Sequence, residues 1–180
     1  MDPAVSVGKF SAEVAQWDAV AAEHAKRGIF ICEARFPKIY AVFTAPQLQP
    51  ALVLFGVELD FTNYDLWPPS LTFINPFTRS PEKPAVHFLR PRLNANVGEN
   101  PFESALAEHA GAQPFLCMKG IREYHMHPAH TGDPWLQYRG TEIGTLGFIL
   151  DKVHEFGVSR IQKIQWTINP QIAGVEMRLN

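Results

Sequence analysis

Residues 51–74, ALVLFGVELDFTNYDLWPPSLTFI, constrain the fold more than any other stretch. Apolar and polar side chains alternate from Leu52 to Phe61, the chain turns at Thr62-Asn63-Tyr64, and alternation resumes through Leu71 and Phe73. Successive side chains of a strand point to opposite faces, so the pattern marks two half-buried strands. Pro68-Pro69 donates no ladder hydrogen bond and must lie between strands or at a strand entrance. A sheet is therefore fixed before any other element is read.

Its neighbours follow from the same logic. Residues 29–36 and 38–45 read as two more strands, broken at Pro37. Residues 10–28 read as an amphipathic helix, with Val14, Trp17, Ala21 and His24 on one face, Ser11 as its cap and Gly28 as its left-handed stop. One helix followed by a strand meander predicts an α+β domain with an antiparallel sheet. Prolines 76, 81, 84, 91 and 101 then dissolve the pattern into a long loop from Asn75 to Gln113. Inside it, Asn100 and Pro101 predict a short helix through Phe102, Ala105, Leu106 and His109 to Gly111. A later helix is expected over 141–156, capped by Thr141, with Ile143, Leu146, Leu150 and Val153 inward, Ile149 at the margin and Gly157 as its stop. Ile164-Trp166-Ile168 and Val175-Met177-Leu179 predict two short strands in the tail.

At 180 residues with 46% hydrophobic side chains, the chain is expected to form a single domain over 1–180 with its own core. Sixteen basic residues against 18 acidic leave a net charge of -2, and no cationic block marks a nucleic-acid or lipid surface. The N-terminus lacks an apolar signal core, and no window nears the roughly 18 apolar residues of a membrane span. The two cysteines lack paired-motif spacing, which fits free thiols in a reducing cytoplasm. P-loop, H-E-x-x-H and G-x-S-x-G patterns are absent, so nucleotide, zincin and esterase chemistry have no motif here.

Two groups of residues can carry chemistry. Cys117 lies between apolar Phe115-Leu116 and Met118-Lys119-Gly120, where a thiol is either a core residue or a nucleophile. Cys32, alternating with Phe30 and Ala34, reads as a core thiol. His125-x-His127-Pro-x-His130 is the densest polar cluster. With residues 121–127 extended, His125 and His127 share a face and Pro128 turns the chain to return His130. Three readings stand. One of these rings is a general base or orienting group; three imidazoles bind zinc, with Asp133 or water as the fourth ligand; or the segment is a solvated polar loop.

The order of these pieces resembles the ubiquitin-conjugating enzyme family. Residues 10–75 and 114–156 carry the likeness: an N-terminal helix, a four-strand meander, a loop-borne Cys and a crossing helix. Tyr64-Asp65-Leu66-Trp67-Pro68-Pro69 resembles the family's Tyr-Pro-x-x-Pro-Pro, with Asp65 at its first proline. Phe115-Leu116-Cys117-Met118 is similar to its Ile-Cys-Leu segment, and Asp133-Pro134-Trp135 to the acidic residue and Trp before the crossing helix. The Asn of the family's His-Pro-Asn has no counterpart; Asn94 and Asn96 lie far upstream. The Cys117–Trp135 interval is long, and the usual final helices are missing. These departures resemble the family's divergent bacterial branch.

The resemblance implies a carrier that accepts a ubiquitin-like protein as a thioester on Cys117 from an adenylating activating enzyme, then passes it to an amine on a target protein. The resemblance implies Cys117 as the nucleophile on a frame that includes Tyr64, Pro68, Pro69 and Trp135, and the histidine cluster adds His125 and His127 as the candidate general base or orienting group beside it. The chain itself needs no cofactor for that role. Two other functions remain open: a zinc-binding protein or metal-dependent hydrolase built on His125, His127, His130 and Asp133, and a noncatalytic ubiquitin-like-binding module of the same fold.

Overall fold

Alternation along the meander is realised as a four-stranded antiparallel sheet, in the order β1 (Ile29–Arg35), β2 (Lys38–Ala45), β3 (Leu52–Asp60) and β4 (Ser70–Ile74). The computed structural model describes residues 2–93, 95–108 and 113–163. Ile39, Ala41 and Phe43 of β2, Phe55, Val57 and Leu59 of β3, and Leu71 and Phe73 of β4 are buried. These positions differ by two, as one face of a pleated strand requires. Phe10 and Trp17 from the first helix join the same core, together with Leu146, Ile149, Leu150 and Val153 from the last. Each buried Val, Leu, Ile or Phe among them contributes roughly 1.5–3 kcal/mol by leaving water.

The N-terminal helix differs from its expected bounds. α1 spans Pro3–Asp18, with Asp2 accepting the Ala4 N–H at 2.9 Å and Pro3 in the first turn. Ser11 is interior to it and donates its hydroxyl to the Val7 carbonyl at 2.9 Å instead of capping. A break at Ala19–Val20 starts α2 (Ala21–Lys26). Residues seven apart in one unbroken helix are separated by about 10 Å along the axis. The break instead lets His24 stack on Trp17 with ring centroids 3.8 Å apart. Gly28 does take the left-handed stop, at φ 87°, where a Cβ would lie 2.4 Å from the Thr44 carbonyl oxygen.

The described residues of the 76–113 segment carry three short strands where a loop with one helix was expected, and the end of that helix, 109–111, lies outside the described residues. β5 (Leu89–Pro91) pairs antiparallel with β6 (Phe102–Ser104), and β7 (Leu106–Ala107) with β8 (Phe115–Leu116). Asn100 accepts the Phe102 N–H at 3.0 Å as a turn former rather than as a helix cap. Tertiary pairing then overrides the local helix signal: the Ala105 N–H donates to the Phe88 carbonyl at 2.8 Å, and the Cys117 N–H to the Ala105 carbonyl at 2.7 Å.

Three further expectations change. Residues 121–127 are not extended; Arg122–Met126 form the short helix α3, and His127, which precedes Pro128, ends it in extended geometry. The last helix, α4, spans Leu146–Gly157 and is capped by Thr145, whose Oγ1 accepts the Phe148 N–H at 3.3 Å. Thr141 closes the preceding turn, and Ile149 is central to the buried face. Cys32 is exposed, at a register shift between Ile31 and Glu33 that turns it out of the core. Both expected tail strands lie outside the described residues. Among the described residues no helix is long and apolar enough to cross a membrane.

Candidate functional site

Tyr64 and the proline pair form a frame between the helices and the sheet. Asn63 takes left-handed geometry at φ 61°, turning the chain out of β3. The buried Tyr64 donates its hydroxyl to Glu13 of α1 at 2.8 Å, and the same carboxylate accepts the Leu146 N–H of α4 at 2.8 Å. One glutamate thereby ties the turn to both long helices. Burial, with Glu13 beside it, pushes the Tyr64 hydroxyl's pKa far up. Pro68 and Pro69 are buried, and their carbonyls accept from Arg122 Nε at 3.3 Å and the Arg122 N–H at 2.8 Å. Glu123 accepts the Leu71 N–H at 3.1 Å and the Ser70 hydroxyl. Buried Trp135 donates Nε1–H to the Asp65 carbonyl at 2.9 Å. Asp65 pairs with Lys9 and, at 3.3 Å, with Arg139.

Cys117 follows the buried pair Phe115-Leu116 and is itself half-buried. Its backbone is held on both sides: the N–H by Ala105 as above, and the carbonyl by Arg90 Nη1 at 2.9 Å. Gly120 then reverses the chain at φ 93°, packed so closely that a Cβ there would lie 2.6 Å from the Gly144 nitrogen. This turn delivers α3 and the histidines back towards the sulfur. The ring that reaches it is His130, whose Nε2 lies 3.4 Å from Cys117 Sγ.

His125 and His127, the rings expected beside the thiol, are committed elsewhere. His125 Nδ1 contacts the Asp133 carbonyl at 2.8 Å, and its Nε2 contacts the Gly120 N–H at 3.2 Å. That pair of bonds fits one tautomer, protonated on Nδ1, and leaves neither nitrogen for the sulfur. His127 accepts the Ala129 N–H at 3.2 Å, with its ring centroid 5.4 Å from that of His130. The difference follows from α3: helical winding over 122–126 replaces the strand that would have put 125 and 127 on one face.

Asp133 is the hub of the remaining polar groups. It accepts the Tyr124 hydroxyl at 2.8 Å and the Tyr138 hydroxyl, and pairs with Lys119 at 3.2 Å. The Tyr138 bond, followed by those from Tyr124 and Lys119, lowers its carboxyl pKa to about 2. Burial and the bond to Asp133 push the Tyr124 hydroxyl up to about 12. Tyr124 in turn stacks on His130, with centroids 3.9 Å apart and planes 17° apart. Burial, then nearby His127, lowers the pKa of His130, which keeps its imidazole neutral and able to accept a proton at neutral pH.

A family model described as Y4jH-like, the Y4jH family, matches residues 1–161. The chain belongs to the Y4jH family. The "Uncharacterized protein y4jH" of Sinorhizobium fredii (strain NBRC 101917 / NGR234) is 37% identical over 191 residues, covering 97% of this chain and 93% of that one. In this Y4jH-family chain Cys117, Tyr124, His130 and Asp133 all fall within the matched residues.

Sequence reasoning placed Cys117 and the histidine cluster but missed Arg90, Glu13, Arg122 and Glu123. These act through hydrogen bonds to groups distant in sequence and leave no periodic trace. The zinc set does not assemble: among the described residues no three His, Cys, Asp or Glu side chains are grouped to hold a metal ion. His125 spends both nitrogens on backbone groups, and His130 Nε2 faces the thiol.

The histidines also set an acid limit on stability. Burial is the leading cause of lowered pKa values for His24, His125, His130 and His154. Unfolded histidines take up protons near pH ~6.5, before these native ones do, so proton uptake favours the unfolded state as pH falls through that value. Asp133 adds a second loss at lower pH, as its carboxyl protonates on the way to about 2. The urea midpoint should therefore fall steadily between pH 7 and pH 5; a flat midpoint over that range contradicts it.

Proposed function

We propose that this chain carries a ubiquitin-like protein as a thioester on Cys117, within a fold of the ubiquitin-conjugating type. The observation that carries the reading is the 3.4 Å approach of His130 Nε2 to the half-buried Cys117 sulfur. The order of elements supports it: α1, the meander, the Tyr64 and Pro68-Pro69 turn, the Cys117 segment, Trp135 and α4.

Cys117 is the nucleophile and His130 the proton acceptor, a role that His125 and His127 leave vacant. The Cys117 sulfur attacks the terminal carbonyl carbon of the modifier, which arrives as a thioester on an adenylating activating enzyme. Its proton passes to His130 and then to the departing thiolate as the old C–S bond breaks. One thioester replaces another at nearly equal energy, so positioning supplies most of what is needed. An amine of the target then attacks the Cys117 thioester, sheds a proton and releases the thiol as the amide forms. ATP is consumed by the activating enzyme, and this chain needs no cofactor of its own.

The test incubates the chain with its activating enzyme, the ubiquitin-like protein and ATP, followed by a nonreducing gel. The expected product is an adduct that dithiothreitol cleaves and that Cys117→Ser converts to a reductant-resistant ester. Binding of the modifier without any adduct would instead make the chain a noncatalytic module. Stoichiometric zinc that a His125→Ala, His127→Ala, His130→Ala variant loses, with Cys117→Ala harmless, would replace the carrier reading with a metal one.

A further inference from the structure

A nucleophile–histidine pair ordinarily needs a third group to hold the ring and to favour its cationic form. In many such sites a carboxylate does both by accepting from the second ring nitrogen. The carboxylate nearby is Asp133, and the partners of its two oxygens are the hydroxyls of Tyr124 and Tyr138 and the ammonium of Lys119. The group laid against His130 is the phenol of Tyr124, nearly parallel and 3.9 Å away between centroids.

We infer that Tyr124 is the positioning residue of the Cys117–His130 pair, holding the imidazole by stacking and stabilising its cation through the ring face, with Asp133 anchoring Tyr124. This deepens the carrier reading and rests on it for the identity of the nucleophile. The geometry has three links: Cys117 Sγ to His130 Nε2 at 3.4 Å, His130 to the Tyr124 face, and the Tyr124 hydroxyl to Asp133 Oδ2 at 2.8 Å. Tyr124 is itself buried, so its ring has little freedom to leave the stack.

Physical chemistry gives the arrangement a direction. An aromatic face carries negative quadrupole density and attracts a cation placed over it. Neutral imidazole gains little from that face; imidazolium, formed once the thiol proton has moved, gains more. A hydroxyl that donates to an ionised carboxylate leaves its ring richer in electrons, which strengthens the attraction. The stack thus favours the state after proton transfer over the state before it, which is the condition for lowering a barrier. Other charges around His130 act on the same equilibrium. His127 and Arg90 oppose the imidazolium and Asp133 favours it, while His125 adds a smaller opposition.

The test needs neither activating enzyme nor modifier, so its failure is separable from failure of the conjugation assay. Second-order alkylation of Cys117 by iodoacetamide is followed from pH 5 to pH 9 for the wild type, Tyr124→Leu, Tyr124→Phe, Asp133→Asn and His130→Ala. Cys32, which is exposed, is replaced by serine in every background. Tyr124→Leu is expected to slow alkylation about 5-fold at pH 7, and to move the His130 Cε1–H titration, read by NMR, to lower pH. Tyr124→Phe and Asp133→Asn keep the stack but lose its anchor, and should slow alkylation about 2-fold with a smaller shift in the same direction. These two variants keep the test decisive if Tyr124→Leu fails to fold. An unchanged His130 titration in the folded variants, with alkylation at the wild-type rate, overturns the role of Tyr124. Wild-type alkylation in His130→Ala overturns the pair on which the role depends.

Discussion

His130→Ala should slow the uptake of a ubiquitin-like protein onto Cys117 on the order of 10²-fold, the lower end of what a positioned proton acceptor contributes. His130 Nε2 is the ring nitrogen at the sulfur, 3.4 Å away, and its loss leaves solvent water to take the proton. His125→Ala should behave differently. That ring joins the Gly120 N–H to the Asp133 carbonyl, so its removal leaves two backbone groups short of partners and costs about 1–3 kcal/mol of stability. The pH profile separates the two further. Burial lowers the pKa of His130, so the neutral, proton-accepting ring survives below the ordinary histidine range. Uptake should therefore hold its rate as pH falls past ~6.5 and drop only when His130 itself becomes protonated. Single-turnover uptake at a series of pH values measures both effects. Equal rates for His130→Ala and wild type would remove His130 from the reaction.

The parts of the fold legible in the sequence are those with sustained periodicity. Phe55, Val57, Leu59 and Phe61 alternate long enough to fix a strand and its inward face, and the structure buries all four. Leu146, Leu150 and Val153 recur at helical spacing and are likewise buried. Pairings such as Leu106 with Leu116 involve strands of two residues, too short for a period-two signal to exist. Residues 102–107 differ from the expected helix for the same reason: the cap-like Asn100-Pro101 is a local cue, while the pairing partners on β5 and β8 lie outside its reach. At the site, the histidine cluster was visible as composition, but the ring that meets Cys117 depends on five residues winding as α3. Sequence spacing alone gave those residues no reason to prefer a turn of helix over a strand.

Phe88→Ala should cost about 3–5 kcal/mol, the usual range for emptying a buried phenylalanine site. Phe88 is 1% exposed and packs on Phe55 and Phe73 at centroid distances of 5.1 Å and 4.9 Å. It is the apolar anchor of the proline-rich segment, one residue before β5. Its carbonyl accepts the Ala105 N–H, and Ala105 in turn accepts the Cys117 N–H. Gly157, at the end of α4, makes room for the ring: a Cβ there would lie 2.5 Å from Phe88 Cε1 and Cζ. Gly157→Ala alone should therefore destabilise by about 1–3 kcal/mol through overpacking. Once Phe88 is truncated the clash disappears, and alanine's better helix propensity should leave the second change neutral or favourable by up to about 1 kcal/mol. Urea unfolding of the two single variants and the double variant measures this coupling, which should be large and of compensating sign. Additive destabilisation would mean that Phe88 does not set the space at the end of α4. The link from the core through Ala105 to the Cys117 segment would then need another anchor.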